Sequence, residues 1–299
     1  MTADYEIVCD STNRPEWLLA RRTGIGASES PWVLGIDWPR WSSAMEVYAD
    51  KISEDPPVDE FDERMEWGRI LEPVILGWFD GEVGRPVEPA GELLRSKRWP
   101  FMLCTLDGWQ EADVAGGGCV PRLPLEVKNT QDRAGWSDGV PQHVGIQLQH
   151  QMAVTGAPMA SVAVLICGSE FKWRDVERDD KFIEETLVPE CGSFWDRVLH
   201  KGPPPLPDAS PATAKALARI YPNAYRESIS LPGEFVDLHA QYKQLKAASK
   251  DNETRITEIK NLFRAAIGDA DEGVLPAGEK WTWLADVNGK RTLRPPREE

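Results

Sequence analysis

The sequence predicts an α/β fold with a C-terminal appendage of long helix and β-hairpin, and three observations predict it. Helical and strand periodicities alternate along residues 1–200, as they do in α/β domains. The stretch KGPPPLPD at 201–208 can continue neither a helix nor a central strand, so it reads as a stiff linker. Beyond it, apolar residues recur at spacings of three and four over 235–266, a helical rather than a strand period. The expected organisation is a main domain at 1–200, a linker at 201–210 and an accessory region at 211–299.

Taken in order, residues 43–50 and 63–80 read as helices, separated by an acidic, proline-broken loop, KISEDPPVDEFDE at 51–63. Residues 103–113 and 120–128 read as strands joined through Gly116, Gly117 and Gly118. A helix is expected at about 141–155: Asp138 can cap near its start, Pro141 fits the first turn and Gly156 can terminate it. Strands follow at about 159–167 and 170–177, then a helix at about 180–199 with Pro189 as a break or kink. Phe235, Leu238, Tyr242, Leu245, Ser249, Asn252, Ile256, Ile259, Phe263 and Ala266 form a coiled-coil-like stripe with a polar centre. As one helix it would make a rod of roughly 50 Å; the alternative is a broken helical hairpin folded onto its own domain. Asn288-Gly289 within 281–293 is a hairpin turn signal.

Composition narrows the function classes. In a chain of 299 residues, 41% hydrophobic and 28% charged content is ordinary for a soluble globular protein. No apolar run is long enough to span a bilayer and no secretory signal is visible, so a cytoplasmic location is expected. The five cysteines are odd in number and scattered, which argues against a disulfide framework or a zinc knuckle; the four histidines make no metal-binding pattern. A net charge of −15 opposes a nonspecific polyanion coat, so contacts to nucleic acid need a local basic track. Arg21 and Arg22, then Arg95, Lys97 and Arg98, are candidates, although the second group reads equally well as ordinary solvated charge.

The chemistry centres on LEVK at 125–128. Side chains alternate along a strand, so Leu125 and Val127 anchor one face while Glu126 and Lys128 emerge together on the other. Paired positions in an antiparallel hairpin sum to a constant, and a turn centred between Gly116 and Gly117 sets Asp107 opposite Glu126. Two neighbouring carboxylates repel unless a cation sits between them, and hard oxygen ligands favour Mg²⁺ or Mn²⁺. Such ions would polarise a phosphodiester and activate water, while Lys128 would orient that water, help deprotonate it or supply positive charge. By itself an aspartate followed by E-x-K is a weak signal, and a cross-strand charge pair on a solvated face is the default.

The wider pattern resembles the YqaJ-like phage recombination exonucleases, relatives of lambda exonuclease among the PD-(D/E)XK nucleases. The likeness covers roughly residues 14–200. It is carried by RRTGIGAS at 21–28, EWGRILEP at 66–73, TLDG at 105–108, LEVK at 125–128, QLQHQM at 147–152 and AVLI at 163–166. The resemblance implies a mixed central sheet flanked by helices and a DNA exonuclease, 5′ to 3′ on linear duplex, of phage or prophage origin in a bacterial cell. It implies that Asp107 and Glu126 bind metal, two Mg²⁺ ions in all, with Glu72 as a further acidic ligand, and that Lys128 serves the attacking water. Read alone, Glu72 beside Pro73 is equally a surface acid at a helix end. Gln147 matches the family's active-site glutamine, and the Q-x-Q pattern leaves Gln149 as the other choice.

Arg21 and Ser28 match the block whose role resembles capture of a 5′-phosphate, a guanidinium and a helix start converging on one anion. Simple helix capping by Ser28 is the plainer reading. The family often has aspartate after its serine, whereas this chain has Glu29. The resemblance also implies a toroidal homo-oligomer and a single-strand annealing partner. Among other readings, an iron–sulfur nuclease of the same fold needs a cysteine cluster that this sequence lacks. An endonuclease and a catalytically silent DNA-end-binding protein stay open, the intact Asp107, Glu126 and Lys128 set speaking against the second.

Overall fold

The computed structural model describes residues 3–36, 42–57, 63–111, 122–247, 253–287 and 289–296. They cluster into two units, Met1–Ile36 with Ser53–Lys201, and Asp37–Ile52 with Gly202–Glu299. The first unit opens with β1 (Tyr5–Asp10), α1 (Arg14–Arg21), β2 (Ile25–Gly26) and α2 (Ser30–Val33). After α3 (Ala44–Ile52), which belongs to the second unit, it continues with α4 (Glu63–Val83), β3 (Val87–Pro89), β4 (Glu92–Ser96), β5 (Met102–Thr105) and β6 (Gly108–Glu111). Next come β7 (Arg122–Thr130), α5 (Gln142–Thr155), β8 (Met159–Ile166), β9 (Glu170–Glu177), α6 (Asp180–Phe182) and α7 (Val188–Leu199).

Two sheets part at Leu106 and Asp107. The strand expected over 103–113 is two: β5 lies in the sheet β1-β4-β5-β2, and β6 lies in the sheet β3-β6-β7-β8-β9. The hydrophobic pattern runs on through the break, so only the choice of partner strands reveals it. The expected glycine turn at 116–118 lies outside the described residues. The register expected for β6 and β7 is present: Gly108 pairs with Leu125, Trp109 with Pro124 and Gln110 with Leu123.

The second sheet is mixed. β7 and β8 run parallel, and α5 makes the crossover between them, while β6 with β7 and β8 with β9 are antiparallel. Alternation along each strand sends residues to opposite faces. Leu125 and Ala163 pack with Ile75, Leu76 and Phe79 of α4. Val162 and Val164 pack with Val144, Leu148 and Met152 of α5. Helix α5 ends where expected, with Gly156 in the left-handed region at φ 75°. Gly108 permits close approach to α4, because a Cβ there would meet Leu76 Cδ2 at 2.9 Å. Pro189 does not break its helix; it follows one π-helical stretch, Ile183–Leu187, between α6 and α7.

The second unit comprises α3, α8 (Pro211–Ile220), β10 (Ser228–Ser230), α9 (Glu234–Ala247), α10 (Glu253–Ile267), β11 (Glu272–Val274), β12 (Lys280–Ala285) and β13 (Arg291–Arg294). The helix predicted at 43–50 therefore does not belong with the rest of residues 1–200: Met45 and Ala49 are buried in one core with Leu217, Phe263 and Trp281. Nor is 235–266 a rod. Helices α9 and α10 form an antiparallel hairpin, with Phe235 against Phe263 at 4.9 Å and Gln241 near Arg255. The apolar stripe is consumed within the unit, where Phe235, Tyr242, Ile259 and Phe263 surround Trp281. The hairpin at 281–293 forms as β12 and β13, with Gly289 at φ 79°; Asn288 lies outside the described residues.

Candidate active site

Asp107 ends the irregular step between β5 and β6, immediately before the paired residues of β6. Its Oδ2 accepts the Val127 N–H at 2.7 Å, which ties it across the hairpin to β7 beside Glu126. Glu126 is buried, and three donors from two elements hold it. Lys128 Nζ reaches its Oε1 at 2.6 Å, Gln147 Nε2 donates to the same oxygen at 2.7 Å, and Gln151 Nε2 donates to Oε2 at 2.5 Å. The Gln147 amide orientation is fixed from both ends, since its Oε1 accepts from Lys128 at 3.0 Å. Gln149 points elsewhere, to the Glu177 carbonyl and the Asp179 N–H, so Gln147 is the glutamine that faces the carboxylates.

Gln151 was missed in the sequence, although it lies four residues after Gln147 and so on the same helical face. Glu72 does not end its helix, because α4 runs eleven residues further, to Val83, despite Pro73. It is half-buried on that helix.

The acids outnumber their partner. Burial pushes the Asp107 carboxyl well above the usual carboxylate range, and the charges of Glu126 and Glu72 push the same way against Lys128 and the Val127 N–H. Burial likewise raises Glu72, with Glu126 adding to it. For Lys128, burial alone would lower its value, but Glu126 and Asp107 outweigh burial and hold the ammonium above its ordinary range. Lys128 is therefore a fixed positive charge here. Among the described residues no three His, Cys, Asp or Glu side chains converge tightly enough to make a finished metal cage. The donor set nonetheless fits a hard divalent cation: Asp107, Glu126 and Glu72 offer carboxylate oxygens, and the charges of Glu126 and Glu72 felt at Asp107 are ones a cation would neutralise.

The N-terminal block is arranged differently from expectation. Arg21 pairs with Glu29 at 3.1 Å and lies over the Trp17 ring at 4.6 Å. Glu29 also accepts the Gly26 N–H at 2.7 Å, so the residue that departs from the family pattern is the one that holds Arg21. Ser28 is exposed just before α2, but the residue at the cap position is Glu29 and the helix is four residues long. Of the expected basic track, Arg22 donates to the carbonyls of Ser53 and Asp55, Lys97 to that of Ala3, and Arg98 pairs with Glu184. Arg95 bonds Thr23 and lies 3.6 Å from Glu6. These cations do not form an open stripe.

Comparison with known proteins agrees with this geometry. Residues 16–158 match the family described as the YqaJ-like viral recombinase domain. A protein of Bacillus subtilis (strain 168), described as "Uncharacterized protein YqaJ", is 27% identical over 266 residues, spanning 88% of this chain and 81% of that one. The crystal structure of an alkaline exonuclease (LHK-Exo) from Laribacter hongkongensis is similar at a TM-score of 0.50 and 22% identity, covering 62% of this chain and 93% of that one. At that identity the likeness is one of fold alone. Asp107, Glu126, Lys128 and Gln147, gathered at the parting of two sheets, all lie within residues 16–158, the stretch that matches the YqaJ-like viral recombinase domain family.

Proposed function

We propose that this protein is a magnesium-dependent DNA exonuclease that digests linear duplex from its 5′ ends, leaving single strands for recombination. The observation that carries the reading is the acidic pair, half-buried Asp107 and buried Glu126, set by the β6–β7 register beside Lys128. Asp107, Glu126 and Glu72 would hold the metal, for which Mn²⁺ is a substitute. When bound, the metal would polarise the phosphodiester and lower the pKa of water. Lys128, whose ammonium the charges of Glu126 and Asp107 favour, would orient the attacking water or contribute charge to the developing phosphorane. Gln147, locked between Lys128 and Glu126, positions a polar edge toward the phosphate or the water. Arg21 is the candidate for the terminal 5′-phosphate, which must compete with Glu29 for the guanidinium. Ser28, exposed beside it, offers a hydroxyl to the same anion. The test is digestion of duplex labelled at either end with Mg²⁺, Mn²⁺ or chelator. Metal-dependent loss that starts at the 5′ terminus supports the reading; loss from the 3′ terminus first, or none with any metal, contradicts it. A ring-shaped homo-oligomer and a single-strand annealing partner are part of the same proposal, checked by light scattering and co-purification.

A further inference from the structure

The second unit carries a cleft that takes no part in the chemistry above. It is an open depression of about 390 Å³ between α8, α10 and the β12–β13 hairpin, lined by Lys215, Arg264, Lys290, Arg291 and Trp283. Four cations and no carboxylate line it, in a chain whose net charge is −15. Arg291 is a fixed wall. It donates to the carbonyls of Tyr221, Gly268, Ala270 and Trp283 and lies 4.0 Å over the Trp283 ring, and Asp269 and Asp271 offset its charge.

The attraction rests on the others. Arg264 is half-buried, and its side chain bonds only the neutral Asn261 amide, so no carboxylate neutralises it among the described residues. One turn earlier on α10, Lys260 is pushed down by burial first and then by the charges of Arg264 and Lys246. Lys290 is exposed at the hairpin tip and has no ion pair among the described residues.

We propose that this cleft binds the phosphates of a nucleic-acid strand, a second polyanion contact carried by a unit that contains neither Asp107 nor Glu126. The Arg264 guanidinium fork and the Lys290 ammonium suit phosphodiester oxygens, and a volume of this order accommodates a nucleotide-sized group. This contact would hold the strand in a protein whose overall charge repels it. It stands apart from the exonuclease reading, because it can be measured without cleavage.

The experiment is fluorescence anisotropy of a labelled 20-nucleotide single strand with a 5′-hydroxyl, in chelator, over a range of salt. Each phosphate contact on a single strand contributes about 0.7 to the slope of log K against log salt. Arg264→Ala with Lys290→Ala should weaken binding about tenfold or more at low salt and flatten the slope by about 1.4. Lys290→Glu alone, at an exposed position that cannot unfold the protein, should weaken binding and flatten the slope by at least about 0.7. Wild-type affinity and slope in Lys290→Glu overturn the proposal. Inorganic phosphate or dAMP that displaces the strand at equal phosphate concentration also overturns it, marking a site for free phosphate. Equal binding by Glu126→Gln and wild type leaves the two readings distinguishable.

Discussion

His150 gives the clearest energetic prediction. It lies on α5 with its side chain fully buried, one residue before Gln151 and three after Gln147. Burial lowers its pKa from the ordinary 6.5 to about 4, with the Glu29 charge opposing in part. A histidine so depressed is neutral in the fold but takes a proton in the unfolded chain as pH falls below 6.5. Between 6.5 and about 4 the unfolded state binds more protons, so stability rises with pH across this window and is lost as pH falls through it. At about 1.4 kcal/mol per pH unit, the loss across the whole window is about 3 kcal/mol, a large share of a typical domain's stability.

The perturbation is His150→Leu, and the assay is urea denaturation at several pH values from 7 to about 4. Repacking will shift the variant's baseline, but carboxylates and the similarly depressed His143 are common to both proteins, so the slopes can be compared. Wild type should lose stability faster than the variant by up to about 1.4 kcal/mol per pH unit inside the window. The loss should carry activity with it, because α5 brings both glutamines to Glu126. Equal slopes in the two proteins would refute the reasoning.

Other predictions concern the site. In chelator near pH 8, Asp107→Asn should melt higher than wild type, because a raised carboxyl destabilises the fold as pH climbs from the ordinary carboxylate range through its raised value; each kcal/mol gained is about 2–4 °C, the gain should vanish toward pH 4, and with Mg²⁺ the variant should lose cleavage. Gln147→Ala should lower turnover about 10²-fold, whereas Gln149→Ala should leave turnover unchanged and cost about 1 kcal/mol of stability, as read by single-turnover kinetics and denaturation. Arg21→Ala should reduce the preference for 5′-phosphorylated over 5′-hydroxyl duplex by a factor of about ten to a hundred, from about 1.5–3 kcal/mol of charge-assisted contact, in competition digests.

The β6–β7 pairing was legible because its signals are local: period-two alternation fixes the faces of LEVK, and the observed register is the one expected from the sequence. Helix α5 was legible for the same reason, its limits written in Pro141 and Gly156. What escaped is tertiary. Nothing in 103–113 announces that β5 pairs with β4 while β6 pairs with β3, yet that parting places Asp107. The allegiance of α3 depends on Met45 and Ala49 meeting residues far along the chain, so a cut at the proline linker would strand their apolar face. A three-four stripe serves a rod and a hairpin alike; the polar centre at Ser249 and Asn252 was the only hint of the second. Glu29 read as a departure from a pattern, and only its bonds to Arg21 and Gly26 show what it does.

The central claim is that Glu126, held by Lys128, Gln147 and Gln151, is the heart of a metal-dependent phosphodiesterase. The most direct measurement is digestion of end-labelled linear duplex by wild type and Glu126→Gln, each with Mg²⁺ and with chelator. Wild type with Mg²⁺ should release nucleotides from the 5′ end, and the other three reactions should fall by orders of magnitude, with Glu126→Gln still folded by circular dichroism. Glu126→Gln cutting at the wild-type rate, or a wild-type protein that binds duplex ends and cleaves none of them with Mg²⁺, would contradict the account.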